Sequence, residues 1–272
     1  MKRGVILPGG TAPEQLEQAI VAEKAGWDGV FVWEAPYGVD AWSLLAAMAA
    51  RTFRVRLGTM LTPLPWRRPW KLASQVVTLD QISAGRALVA VGVGATTTGL
   101  PATGEETGLR PRAEMMDEGI DLMRALWEGG TSYHGKHYQY ECAREDLSQV
   151  GRPFQDRIPI WTVGVWPRPK SMRRVLRCDG LLPQFQEGPH EGTPAAIREI
   201  RTWLGAHGRT DIEIIADGET PANDETAANE QVRPWAEAGC TWWLETRWEL
   251  PHHSVERMRE ITARIAAGPP TP

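Results

Sequence analysis

The stretch from Arg54 to Gly94 constrains the fold of this chain more than any other. It reads RVRLGTMLTPLPWRRPWKLASQVVTLDQISAGRALVAVGVG. Val55 and Leu57 open an apolar, β-prone run that stops at Gly58-Thr59, and a loop carrying Pro63, Pro65 and Pro69 follows. Leu72, Val76 and Leu79 then recur at i, i+4 and i+7, backed by Ala73 and Val77, which predicts a helix. Ser83-Ala84-Gly85 closes it with a turn. Ala87 to Val93 is a second apolar run, unbroken by charge, that ends in Gly92-Val93-Gly94. Strand, crossover helix, strand asks for parallel pairing in a sheet covered on both faces. Both strands end in glycine-rich loops, at the end of an α/β sheet where ligands bind.

Length narrows the choice. A chain of 272 residues is long for a single domain of most folds but ordinary for an α/β barrel of about 250 residues. The net charge of -4 gives no basic surface for nucleic acid. Thirteen tryptophans stand against four tyrosines and four phenylalanines, a bias that suits either an apolar pocket or plain packing. Cys142, Cys178 and Cys240 are odd in number, far apart and form no CxxC, which predicts reduced thiols in a cytoplasmic protein. MKRGVILPGG has too short an apolar stretch for a signal peptide, and no run approaches the roughly 20 apolar residues of a membrane span.

Taken in order, the chain alternates. Gly4–Leu7 predicts a strand. Thr11 with Pro13 and Glu14 predicts a capped helix ending at Gly26. Gly29–Trp33 is the next strand, followed by the loop Glu34-Ala35-Pro36-Tyr37-Gly38 and a helical face of Trp42, Leu45 and Ala49. After the central stretch comes a polar Thr/Gly loop, then a helix through Met116, Ile120, Met123 and Trp127. Residues 133–141 read as a small inserted hairpin. Strands are predicted at Pro159–Val163, Gly180–Pro183, Ile212–Ala216 and Thr241–Glu245. Helices are predicted at Ser171–Arg177, Ala195–Ala206, Ala227–Ala238 and through Val255, Met258, Ile261 and Ile265. Eight strands alternating with eight helices, with no linker or internal repeat, predict one (β/α)8 TIM barrel spanning 1–272.

Several pieces, in order, resemble the luciferase-like monooxygenase superfamily, whose members use FMN or coenzyme F-420. They are AEKAGWDGVFVWE at 22–34, the whole block at 54–94, PIWTVG at 159–164 and CDGLLP at 178–183. The resemblance fades after about Pro183. It implies a reduced flavin or deazaflavin across the C-terminal mouth of the barrel, with no metal. It also implies a non-proline cis peptide at Met60-Leu61. On the family's pattern the cofactor contacts fall at Thr59, Met60, Leu61, Gly92, Gly94, Ala95, Trp161, Gly164, Val165 and Ser171. Backbone N–H groups at the helix start after Gly164-Val165 suit a phosphate, with Lys170, Ser171 and Arg173 nearby.

The sequence also departs from that pattern. Where the family often places an Asp-His pair this chain has Glu34-Ala35, and Thr96-Thr97-Thr98 replaces an acidic residue after the fourth strand. Glu34 and Tyr37 remain as candidate proton-transfer groups, Glu34 equally as a capping or ion-paired residue. Trp33, Trp66 and Trp243, with Trp161, are placed near predicted strand ends and are candidates to line the substrate pocket. Gly92-Val93-Gly94 lacks the third glycine of a dinucleotide fingerprint. His134, His137, His252 and His253 form no metal set, and Cys178 has no histidine nearby to make it a nucleophile.

The expected function is hydride transfer or monooxygenation of a small organic substrate, with a slight lean to the deazaflavin. The expected partners are that substrate, a flavin reductase and a second copy in a homodimer, with neither nucleic acid nor membrane. Two alternatives stay open: a flavin-binding relative without catalysis, and a cofactor-free barrel lyase or hydrolase using Glu34.

Overall fold

The computed structural model describes residues 1–97, 103–142, 152–186, 192–246 and 255–271. Thr98, His252 and His253 lie outside the described residues. Eight parallel strands close into a barrel in the order β1-β10-β9-β8-β7-β4-β3-β2. Their ranges are β1 Lys2–Ile6, β2 Gly29–Val32, β3 Arg56–Pro63, β4 Ala87–Gly92, β7 Ile160–Trp166, β8 Gly180–Phe185, β9 Glu213–Gly218 and β10 Trp242–Glu245. β5 Ser132–His134 and β6 Gln139–Glu141 form the inserted antiparallel hairpin. The helices around the barrel are α1 Ala12–Lys24, α2 Ala41–Ala49, α3 Pro69–Ile82, α4 Leu109–Trp127, α5 Pro169–Val175, α6 Pro194–Ala206, α7 Glu225–Ala238 and α8 Val255–Ala266.

Local chemistry explains the starts. Thr11 and Glu14 make the reciprocal capping box of α1. Asp40 caps α2 through the Ser43 N–H at 2.8 Å, and a proline opens α3, α5 and α6, where its missing N–H costs nothing.

Four strands run further than the apolar pattern predicts: β8 reaches Phe185 and β9 Gly218, and β3 and β7 overrun the most. β3 does not stop at Gly58-Thr59 but continues to Pro63. Its ladder to β4 shifts register between Thr59 and Thr62 and resumes at Thr62 beside Val91 and Pro63 beside Gly92. The Met60–Leu61 peptide inside this bulge is cis, as the resemblance implies. β7 passes Gly164 and ends at Trp166, paired with β8 as far as Phe185.

Strand alternation sorts the walls. Leu57, Val89, Ile160 and Val30 face outward into a core shared with α1–α4, and Leu181, Ile214, Ala216 and Trp243 into one shared with α5–α7. The inward residues of the lower barrel are large. Phe31, Trp161 and Trp242 meet with ring centroids 5.3–5.9 Å apart. Space for them comes from inward glycines: a Cβ at Gly180 would lie 2.2 Å from the Trp161 ring. Glu213 accepts from Trp161 Nε1 and Trp242 Nε1, each at 3.0 Å, and from Lys2 Nζ at 3.3 Å.

Glu23, near the end of α1, ties the helix layer to the base of β3. Its carboxylate accepts from the backbone N–H groups of Phe53, Arg54 and Val55 at 2.6–3.1 Å. Burial pushes this carboxyl up, but the three N–H donors and the Arg54 charge outweigh it and hold it below the ordinary carboxylate range. A group with a depressed folded value stabilises above its unfolded value and loses that contribution as pH falls through the folded one. Glu23→Gln is expected to cost about 1–3 kcal/mol at pH 7 by urea unfolding. The gap to the wild type should narrow as pH drops below the ordinary carboxylate range.

Candidate active site at the mouth of the barrel

Above the aromatic floor the barrel opens at its C-terminal end. Ile6, Met60, Ala90, Ile215 and Leu244 form an inward apolar layer, with Leu61 and Leu182 packed against it. The β3 bulge is clamped from outside. Thr62 Oγ1 donates to Glu34 Oε2 at 2.7 Å and lies 2.9 Å from Thr59 Oγ1, which in turn lies 3.3 Å from the Ala90 carbonyl. Arg67 pairs with Glu34 Oε1 at 2.9 Å, and Trp42 Nε1 donates to Oε2 at 3.4 Å. Glu34 therefore links β2, the bulge, α2 and the start of α3, and its side chain is 8% exposed.

The glycines after β4 serve close approach. A Cβ on Gly92 would lie 2.7 Å from the Leu61 side chain, so Gly92 admits the bulge. Gly94, at φ +81°, faces the Trp66 ring, whose nearest atom would lie 2.4 Å from a Cβ there. Trp66 is buried in the 3-10 turn Leu64–Trp66 and donates to the Glu106 carbonyl at 2.8 Å. Arg112 stacks 5.3 Å over its ring and donates to the Val93 and Gly94 carbonyls at 2.9 and 2.7 Å. Ala95 begins the exposed loop beyond.

The remaining assigned residues separate. Ser171, in the first turn of α5, accepts from the Val165 N–H at 2.9 Å. Gly164 faces outward, where a Cβ would meet Leu181, Val175 and Met172 within 2.4–3.1 Å. Trp33 follows β2 at the rim, 45% exposed, beside Gly9 and a cleft of about 1120 Å³ shared with Val39 and Met258. Tyr37 is 96% exposed. Trp161 and Trp243 are the second residues of β7 and β10; Trp161 lies far below the end of its strand, whereas Trp243 is two residues from Glu245, the end of its own. Trp161 belongs to the aromatic floor, and Trp243 faces outward against Trp235 at 6.3 Å. Burial pushes the Cys178 and Cys240 thiols up to about 12, which silences them as nucleophiles. No group of three or more His, Cys, Asp or Glu side chains suited to a metal occurs among the described residues.

Sequence reasoning missed three residues. Continuing the alternation upward, Gln184 of β8, Asp217 of β9 and Thr246 just after β10 face the mouth, on the same side as Leu182, Ile215 and Leu244. Burial raises the Asp217 carboxyl above its ordinary value. The signal available was an acid followed by glycine at the end of a barrel strand, one residue beyond where the apolar run stops at Ala216.

The luciferase-like monooxygenase family model matches residues 2–267. The chain belongs to that family and is an enzyme of it. A Mycobacterium tuberculosis protein named as a coenzyme F-420-dependent oxidoreductase is 32% identical over 238 residues, covering 80% of this chain and 66% of its own length. The chain thus spans just under two thirds of that relative. A coenzyme F-420-dependent glucose-6-phosphate dehydrogenase of Amycolatopsis mediterranei is 32% identical over 81% of this chain and 69% of its own. The fold matches that of a coenzyme F-420-dependent secondary alcohol dehydrogenase at a TM-score of 0.67, 21% identity, and 99% and 91% coverage of the two chains.

The Gly94–Trp66 contact can be isolated. Gly104 has a similar φ of +84°, with nothing among the described residues within 4 Å of the place a Cβ would take. Gly104→Ala is expected to cost about 1–2 kcal/mol, the left-handed penalty alone. Gly94→Ala should cost about 1–3 kcal/mol more, because the Trp66 ring must move. Thermal unfolding of the two variants checks the difference.

Proposed function

We propose that this enzyme transfers a hydride between coenzyme F-420 and a small organic substrate at the mouth of the barrel. The observation that carries the reading is the Met60–Leu61 bulge, which projects from β3 onto the apolar layer beside Gly92. An apolar wall with an inward glycine beside it suits a planar ring system. Both relatives named above carry the deazaflavin in their names, which favours it over FMN. When bound, the cofactor supplies the ring atom that accepts or donates the hydride.

The chain's own residues supply position. Met60 and Leu61 provide the wall for one ring face, with Thr59 holding the bulge from behind. Gly92, Gly94 and Ala95 line the adjoining loop, and Gly164, Val165 and Ser171 stand on the side proposed for the phosphate tail. Trp33 is the substrate-pocket tryptophan open to the mouth. Glu34 is committed to Arg67, Thr62 and Trp42, so its part in this reading is to fix the bulge. Monooxygenation with FMN is the second reading, favoured by the description of the family that matches. A flavin reductase belongs to that reading as a proposed partner, and a homodimer is proposed under either reading.

Titration with coenzyme F-420 and separately with FMN, followed by fluorescence and heat, tests the proposal. Coenzyme F-420 is expected to bind about tenfold tighter or more, about 1.4 kcal/mol. Tighter binding of FMN selects the second reading, and binding of neither overturns both. Glu34→Gln breaks the ion pair and is expected to weaken cofactor binding about 3- to 30-fold, or about 0.7–2 kcal/mol. If cofactor affinity were unchanged while turnover fell, Glu34 would instead be the proton-transfer group.

A further inference from the structure

We propose that the wall of the mouth formed by β8, β9 and β10 recognises a hydrogen-bond-donating group on the substrate, a hydroxyl or an ammonium, with Asp217 as its acceptor, and that this wall rejects anionic substrates. The inference rests on the reading of the mouth as the substrate site.

In the closed order of eight strands β9 stands four places from β3 in either direction, so the Asp217 side of the mouth faces the Met60–Leu61 bulge. Asp217 pairs in register with Leu244 and lies two residues above Ile215, both inward residues. It is solvent-exposed yet set within the barrel rim. Among the described residues it has no hydrogen-bond or ion-pair partner. Burial raises its carboxyl, and no charged neighbour among the described residues contributes to the shift.

Two neutral neighbours flank it. Gln184 of β8 is exposed, without a side-chain partner among the described residues. Thr246, 8% exposed, has a buried Oγ1 with no partner among the described residues, and its N–H continues the ladder by donating to the Gly218 carbonyl at 2.9 Å. A buried hydroxyl left unpaired is costly unless something fills the place. Glu245, next in line on β10 but facing outward, shows the contrast. Its carboxylate takes the Thr220 N–H and Oγ1 at 2.7 and 2.8 Å and Arg264 at 3.4 Å. The outward acid is fully satisfied by the protein, whereas the inward one is left for a ligand. A lone carboxylate in a partly desolvated rim attracts a donor or cation and repels a phosphate or carboxylate.

The test uses three probes of one shape: 1-amino-2-propanol, 1,2-propanediol and lactate. Each is added at pH 8 to protein labelled with ¹³C at aspartate carboxyls, with and without coenzyme F-420. Asp217→Asn identifies the Asp217 signal, and Asp217→Glu serves if that variant does not fold. The expected result is that the ammonium probe shifts this resonance, the diol shifts it at higher concentration, and lactate binds about tenfold or more weakly than the ammonium probe. In Asp217→Asn, calorimetry should find the ammonium-to-lactate preference reduced to within about threefold, with cofactor affinity unchanged. A shift by none of the probes, equal binding of lactate, or a preference that survives Asp217→Asn overturns the proposal. Failure of cofactor binding with the probe response intact would overturn the proposed function and leave this recognition wall standing.

Discussion

The aromatic floor is the constraint from which the rest of the barrel follows. A closed ring of eight parallel strands leaves an interior that side chains must fill. Here three large rings fill its lower half, each pair contributing about 0.5–1.5 kcal/mol beyond burial. Large rings demand small partners, hence the inward glycines beside them. They also carry N–H groups that cannot be left unpaired in an apolar interior, and Glu213 receives both indoles. With Lys2 pairing with the carboxylate from below, the lower barrel is filled save for a cleft of about 270 Å³ at its base beside Lys2, Glu213 and Trp242.

At the mouth the same requirement is met differently. The β3 bulge breaks the ladder between Thr59 and Thr62, and a broken ladder must find other partners for its polar groups. The hydroxyls of Thr59 and Thr62 and the carboxylate of Glu34 bridge the break from outside, while Arg67 holds the carboxylate from the start of α3. On the neighbouring loop, Trp66 and Arg112 hold Gly94 in its left-handed turn. Two separate clamps thus fix the two halves of one wall, and both draw on the segment Thr62–Arg67 between β3 and α3.

Much of this was legible in the residues. The 54–94 block gives its strands and helix through period alone, and the capping box at Thr11 and Glu14 stands where those residues place it. What period cannot give is the facing of a strand buried on both sides. In TWWLE every position from Trp242 onward is buried, so nothing in the pattern says that Trp242 fills the barrel while Trp243 packs on the helices. The same ambiguity puts Trp161 near a strand end in sequence and in the floor in space. The true ends of β3 and β7 were hidden because a bulge, a proline and a glycine all read as terminators. Asp217 was hidden by the last apolar residue before it.

The placement of polar groups at the mouth then reads as a redistribution. The β2 and β4 sides, where the family's pattern carries a histidine and an acid, here present Ala35 and, among the described residues, Thr96 and Thr97. Glu34 on that side is turned outward into an ion pair and strengthens the wall. Across the barrel, three adjacent strands each end in an inward polar side chain with no partner among the described residues. A wall that is apolar and braced suits a rigid ring, and a wall with open donors and acceptors suits a group whose identity must be read. The sorting of satisfied groups to one side and unsatisfied groups to the other gives the mouth a direction. On the proposed reading, substrate chemistry is decided on β8–β10, far in sequence from the block that defines the fold.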